Sequence, residues 1–210
     1  MSSDNLNLFV VINESKLFFV AGKLNENQNF TVIEKSEINN EYTNLSELIN
    51  MGLKSDSIKQ NINKIESKCN FVFKEITIIL DNFDYSCFNI SGSKKLNGSQ
   101  VLKENISYIL NSLKSSILTQ EKYKTILHIF NSKSVLDGKV IENLPVGLFG
   151  DYYNHELTFF MIKNNDLKNI KQIFNKSNIN IKKIFLKNFV EGTQLIEKDR
   201  TVETFFKINI

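Results

Sequence analysis

The stretch from Ile126 to Ile162 limits what this chain can fold into more than any other. Ile126–Phe130 is an apolar run, Asn131-Ser132-Lys133-Ser134 is polar, and Val135-Leu136 leads into Asp137-Gly138. The loop Asn143-Leu144-Pro145-Val146-Gly147-Leu148-Phe149-Gly150 holds the only proline, and Leu157–Ile162 is apolar again. That order reads as a strand, a polar turn, a short strand ending in a turn, a loop and another strand. Strands so close in sequence pair with one another. No Pro/Gly/Ser-rich linker marks a boundary on either side, so this sheet is set into a larger fold rather than tethered to it.

Before it, Leu8–Ile12, Leu17–Leu24 and Phe30–Glu34 are short apolar runs separated by Asn-rich turns, which predicts an antiparallel meander. Ile58, Ile62 and Ile65 recur at helical spacing behind Asp56 and Ser57, predicting a helix over 57–68. Ile76-Thr77-Ile78-Ile79-Leu80 has the uninterrupted apolar character of a strand covered on both faces. Tyr85–Ile90 is a further strand ending in Ser91-Gly92, and Asn97-Gly98-Ser99-Gln100 is read as the cap of a helix over 99–117. A helix from Asp166 to Asn175, a strand Ile181–Leu186, a short helix Phe189–Ile196 and a last strand Thr201–Ile210 complete the reading.

Composition excludes several functions. The net charge is +3, and every basic residue but Arg200 is lysine. Arginine is the residue that reads phosphates and base edges bidentately, so this surface does not predict nucleic-acid recognition. No signal peptide is visible and no apolar run is long enough to span a bilayer. Cys69 and Cys87 are read as reduced, buried thiols. His128 and His155 have no ligand partner at metal spacing, so no metal site is expected.

Several motifs together resemble FtsA, the actin-like bacterial cell-division protein. That family carries a pattern close to I-L-H-x-x-P-Q-x-[FY]-x-[VL]-D-G, then N-P-V-G-M-x-G, then a strand. Ile126–Ile129, Asp137-Gly138 and Val146-Gly147 match it; Asn131 and Ser132 stand where the family has Pro-Gln, and Leu144 intervenes between Asn143 and Pro145. Phe88-Asn89 and Gly92 keep the family's Phe-Asn-x-x-Gly. The resemblance implies an α/β fold, with an actin-like (ribonuclease H-like) lobe formed by residues 1–82 and 183–210. Residues 83–182 would form an inserted α+β subdomain, a three-stranded sheet carrying the helices 99–117 and 166–175. The last strand would join the first sheet. It implies a cytoplasmic protein peripheral to the inner face of the membrane at the division site. Its partners would be further copies of itself, FtsZ and late division proteins. A pilus-assembly relative of the PilM type shares the fold and is the alternative reading. An ATPase of the actin/Hsp70 superfamily is another.

The resemblance also says where nucleotide chemistry would have to lie. In that superfamily the first hairpin holds an Asp-Ile-Gly-Thr-Ser-Lys-type phosphate turn. Here the segment is Val11-Ile12-Asn13-Glu14-Ser15-Lys16, which lacks the Asp and the Gly. Asn13, Glu14, Ser15 and Lys16 therefore form a degenerate turn, and Glu14 sets a negative charge where a triphosphate would sit, a contact costing about 1 kcal/mol or more. Asn209-Ile210 aligns with the start of the second phosphate motif, whose glycines are absent. No cofactor is expected in this chain, ATP and Mg being conceivable only in a complete family member, and it is expected not to be an enzyme.

No catalytic residue stands out. Asp137-Gly138 is read as a turn in which Asp bonds its own backbone. His155 and Glu156 are adjacent in a strand and point to opposite faces, so they form no acid/base pair. His128 is read as half-buried. Phe149, Tyr152 and Tyr153 are placed together in one loop, where ordinary loop packing and an exposed contact patch both remain open. The loop 143–154 and an edge strand over Lys133–Asp137 are the expected contact elements.

Overall fold

The computed structural model describes residues 6–13, 16–25, 29–39 and 54–198. These form nine strands and four helices: β1 Leu6–Ile12, β2 Lys16–Leu24, β3 Phe30–Asn39, α1 Lys54–Cys69, β4 Glu75–Leu80, β5 Ser86–Lys95, α2 Lys103–Gln120, β6 Lys124–Leu136, β7 Lys139–Ile141, β8 Tyr152–Lys163, α3 Asn164–Asn175, β9 Asn180–Leu186 and α4 Lys187–Lys198. The predicted last strand, Thr201–Ile210, lies outside the described residues.

Two compact units result. The first contains the described residues up to Asp84 and from Asn165 to Lys198; the second is Tyr85–Asn164. In the first, the sheet order is β3-β2-β1-β4-β9. The meander β1–β3 is antiparallel, whereas β4 runs parallel to β1, and β9 runs parallel to β4. Leu8, Val10 and Ile12 of β1 are buried, as are Ile76, Ile78 and Leu80 of β4 and the α1 stripe Ile58, Ile62, Ile65.

The second unit corrects the expected subdomain in three ways. Its sheet has four strands, in the order β5-β8-β6-β7, because Lys139–Ile141 turns back onto Ser134–Leu136. It ends at Asn164, not Lys182. Helix α3, expected on the inserted sheet, belongs to the first unit: parallel neighbours such as β4 and β9 cannot be joined by a hairpin, and α3 supplies the helix such a crossover uses. Only α2 therefore covers the inserted sheet. Ile109, Ile117, Leu157, Phe159 and Met161 are buried, with Leu113 packed among them. Gly92 lets the helix approach, since a Cβ there would lie 2.8 Å from Ile109 Cγ2.

The start of α2 also differs from expectation. Asn97 and Gly98 have φ of 54° and 78°, and Ser99 N–H donates to the Leu96 carbonyl at 3.2 Å. Two consecutive positive φ values define a tight two-residue turn, so the Asn-Gly pair turns the chain and the helix starts only at Lys103. Its first turn is closed by the Asn105 side chain, which accepts the Leu102 N–H at 2.7 Å.

Candidate functional site

Two places were singled out by the sequence: the β1–β2 turn of the first unit, expected to be a degenerate phosphate turn, and the loop 143–154 with the strand Lys133–Asp137 of the second, expected to make contacts.

At the β1–β2 turn, Asn13 N–H donates to the Lys16 carbonyl at 3.1 Å, and Lys16 N–H returns to Asn13 Oδ1 at 2.7 Å. The asparagine side chain thus closes the turn. Glu14 and Ser15 lie outside the described residues. Lys16 Nζ is 2.9 Å from Glu37 Oε1, an ion pair along the meander. Beside this turn, Asp81 N–H donates to the Ile12 carbonyl at 2.8 Å, and Lys187 Nζ sits 2.9 Å from Asp81 Oδ2. The carboxyl ends of parallel strands are where α/β sheets bind ligands. Here the ends of β1, β4 and β9 carry no glycine, and both lysines present are matched by carboxylates of the chain itself. The neighbouring carboxylates Glu37 and Asp81 offset the charge that either cation would offer a phosphate. Among the described residues no cluster of three or more His, Cys, Asp or Glu could hold a metal ion.

The second place is built around Asp137. Asp137 and Gly138 have φ of 48° and 78° and form the two-residue turn between β6 and β7. The turn was expected; the use of the carboxylate was not. Asp137 accepts the backbone N–H of Asp151 at 2.9 Å and of Tyr152 at 2.8 Å, while its own N–H donates to the Tyr152 carbonyl at 2.9 Å. Gly150 makes room for this, since a Cβ there would be 2.8 Å from Asp137 Oδ2 and 2.6 Å from Leu136 Cδ1.

The far side of the same loop is tied to the segment before α2. Gly98 N–H donates to Gly150, Gly150 N–H to Ser99, Val101 N–H to Leu148, and Gly147 N–H to Val101. A loop laced on both sides is a preorganised platform, and it holds Leu144, Val146, Leu148 and Phe149 in solvent, Phe149 at 69% exposure. A surface ordered in advance loses less entropy on binding.

The expected contact residues divide. Phe149 and Tyr152 are exposed; Tyr152 is the first residue of β8, and the Lys95 ammonium stands over its ring at 5.9 Å. Tyr153 is not a contact residue. It also lies on β8, points to the opposite face, and is fully buried in the core with Leu96, Val101, Ile109 and Leu136. The expected edge at Lys133–Asp137 is likewise absent, because β7 pairs Ser134–Leu136 and β8 pairs the other side. Lys133 is exposed opposite Glu156.

Both histidines are in this unit, and neither forms an acid/base pair. His155 is 1% exposed, and neither ring nitrogen has a hydrogen-bond partner. Burial lowers its pKa. Glu156 points to the other face, where it accepts the Asn89 amide at 2.9 Å. His128 is buried rather than half-buried, and burial lowers its pKa to about 4. Tyr153, held by a 3.3 Å hydroxyl contact to Ser134, has its pKa raised by burial. The thiols depart from expectation: Cys69 is half-buried and Cys87 exposed, both free.

The sequence reading missed the lacing between 97–101 and 147–151. The signal is present in the two pairs Asn97-Gly98 and Asp137-Gly138, each a hairpin signature, although Asn97-Gly98 also reads as the start of a helix cap.

No protein-family model matches the sequence, and no curated protein sequence matches it significantly. Solved structures do match. A chain of the "PilM-PilN type IV pilus biogenesis complex" superposes with a TM-score of 0.55 at 8% identity, covering 91% of this chain and 50% of that one. The fold is actin-like. A Bacteroides thetaiotaomicron protein described as having an actin-like ATPase fold and unknown function overlaps more loosely, with a TM-score of 0.39 at 10% identity over 94% of this chain and 58% of that one. This chain spans about half the length of the first of these chains. The expected fold class, an α/β actin-like lobe with a second α+β unit, stands. At these identities the likeness is one of fold alone, and it does not single out FtsA. No helix among the described residues is long and apolar enough to cross a membrane.

Proposed function

We propose that this chain is part of a non-catalytic actin-like scaffold that recruits other proteins through the Tyr85–Asn164 unit. The observation that carries this reading is the platform laced around Asp137, which holds Leu144, Val146, Leu148 and Phe149 rigidly in solvent. Several exposed apolar side chains on one hydrogen-bonded loop are suited to a protein contact. The strand ends of the first unit support the negative half of the proposal, since their lysines are already paired within the chain. In this reading the protein is cytoplasmic and peripheral to the membrane, and it holds no nucleotide in this chain.

Two assemblies fit such a scaffold. The motif resemblance favours a division scaffold like FtsA, self-associating and, in the whole protein, linking FtsZ to the membrane. The superposition on a chain of a PilM–PilN complex favours a pilus-assembly platform equally well. Fluorescence titration of this chain with FtsZ, with the cytoplasmic tails of late division proteins and with a PilN-type segment, all from the same cell, separates them. Binding of none of these probes overturns the proposal.

Two expected results follow. Phe149→Asp with Tyr152→Asp weakens binding of the recognised probe by at least about 30-fold, corresponding to 2 kcal/mol, the threshold for hot-spot aromatics, with an unchanged melting midpoint. Retained binding shows that these rings are not the contact. In calorimetry, MgATP titrated into the chain gives no binding heat in the micromolar range; a saturable isotherm would contradict the non-nucleotide reading.

A further inference from the structure

The two sheets present strand edges of very different character. On β3, Ala21 pairs with Glu34 and Gly22 with Val32, leaving Ile33 as an extra, bulged residue. On β9, Ile76 pairs with Ile181 and Thr77 with Lys183, leaving Lys182 bulged. In the second sheet the edge strand β7 is only three residues long, and its inner neighbour β6 is bulged at Leu127 and Ser132. Bulges and short edges are the devices by which proteins prevent edge-to-edge pairing.

Strand β5 has none of them. All ten residues from Ser86 to Lys95 pair in unbroken register with β8, from Ser86–Met161 to Lys95–Tyr152. It carries no proline, no acidic residue and no charge before Lys94. Its other edge has no strand in the four-stranded sheet. It is an unbulged strand without charge up to Lys94, and among the described residues no strand pairs with its outward N–H and C=O groups.

We infer that β5 pairs antiparallel with β5 of a second copy, centred on Ile90, to give one continuous eight-stranded sheet across a two-fold axis. The sequence is self-complementary in this register. Ile90 meets Ile90 of the other copy, and Asn89 meets Ser91. Cys87 meets Ser93, and Phe88 meets Gly92. Charge selects the antiparallel arrangement. Lys94 and Lys95 occupy one end of the strand, so antiparallel pairing sends the two lysine pairs to opposite ends, whereas parallel pairing would stack them. A two-fold axis perpendicular to the sheet also keeps both α2 helices on one face. Exposed Tyr108, beside Lys94 at 4.4 Å, and its helical stripe Ser112, Ser115 and Thr119 then border the seam.

This refines the scaffold reading by naming one partner, and it uses none of the Phe149 platform. The test is disulfide trapping in the whole chain with Cys69→Ser. Ser93→Cys places a thiol opposite the natural Cys87 of the other copy, at the Cα separation a disulfide spans. Within one copy the two positions are six residues apart along a strand, roughly 20 Å, and cannot join. Mild oxidation is expected to convert Ser93→Cys largely to a covalent dimer, with little dimer from Ser91→Cys, and sedimentation of the parent shows a reversible dimer. A monomer at every concentration, or equal trapping at positions 91 and 93, overturns the inference. Phe149→Asp added to Ser93→Cys is expected to leave trapping intact. Loss of partner binding with trapping retained, or the reverse, shows which of the two surfaces fails.

Discussion

Replacing Tyr153 by alanine is expected to unfold the Tyr85–Asn164 unit, while replacing its neighbour Tyr152 by alanine leaves its stability almost unchanged. Tyr153 is fully buried against Leu96, Val101, Ile109 and Leu136, and its hydroxyl meets Ser134. Truncating a buried aromatic of this size costs about 3–5 kcal/mol, because the cavity left behind collapses only in part. In a small unit that loss lowers the melting midpoint by well over about 10 °C. Ser134 is left with an unmatched buried hydroxyl, which adds to the cost. Tyr152 is 57% exposed and loses only its contact with Lys95. Hydrogen exchange read by mass spectrometry on the whole chain checks both variants: rapid exchange over 85–164 for Tyr153→Ala and native protection for Tyr152→Ala. Equal protection in the two would mean that β8 is not packed on α2 as described.

The same unit is expected to lose stability in mild acid. Burial lowers the pKa of His128 to about 4 and lowers that of His155 as well. An unfolded chain binds a proton on each histidine near pH 6.5, and the folded unit resists it. Between those pH values the unfolded state therefore holds more protons, and stability falls as pH falls. The contribution is fully present above pH 6.5 and is progressively lost as pH drops toward 4. For His128 alone the loss is about 3 kcal/mol at 1.36 kcal/mol per pH unit. His155, with neither ring nitrogen bonded, can be improved upon: His155→Leu is expected to stabilise the unit at neutral pH, because it removes two unsatisfied buried polar atoms. It should also flatten the acid slope. Urea unfolding of parent and variant at pH 7.5 and 5 checks this. A slope unchanged in His155→Leu would mean that His155 takes up its proton equally in the folded state.

What the sequence determined by itself was local. Alternating or continuous apolar runs located β1, β2, β4, β8 and β9, and the Ile58/Ile62/Ile65 spacing located α1, because burial imposes periods of two and 3.6 on the chain. Asp137-Gly138 announced its turn, since few residues accept positive φ. The loss of Asp and Gly from Val11–Lys16 was visible without a structure, and it removed the phosphate chemistry from the expectation.

The tertiary structure decided what each segment faces. Tyr152 and Tyr153 are indistinguishable as neighbours in sequence, and only the register of β8 against β5 and β6 sends one into solvent and the other into the core. Helix α3 has an apolar stripe that would suit either sheet. Its membership of the first unit follows from the parallel pairing of β4 and β9, which no local pattern encodes. Asp137 looked like a turn residue bonded to itself; its carboxylate instead reaches the N–H groups of residues 151 and 152, far along the chain. The bulges at Ile33, Leu127, Ser132 and Lys182 leave no mark in composition either. They arise where two strands must match over their whole length, and that comparison exists only once the strands are side by side.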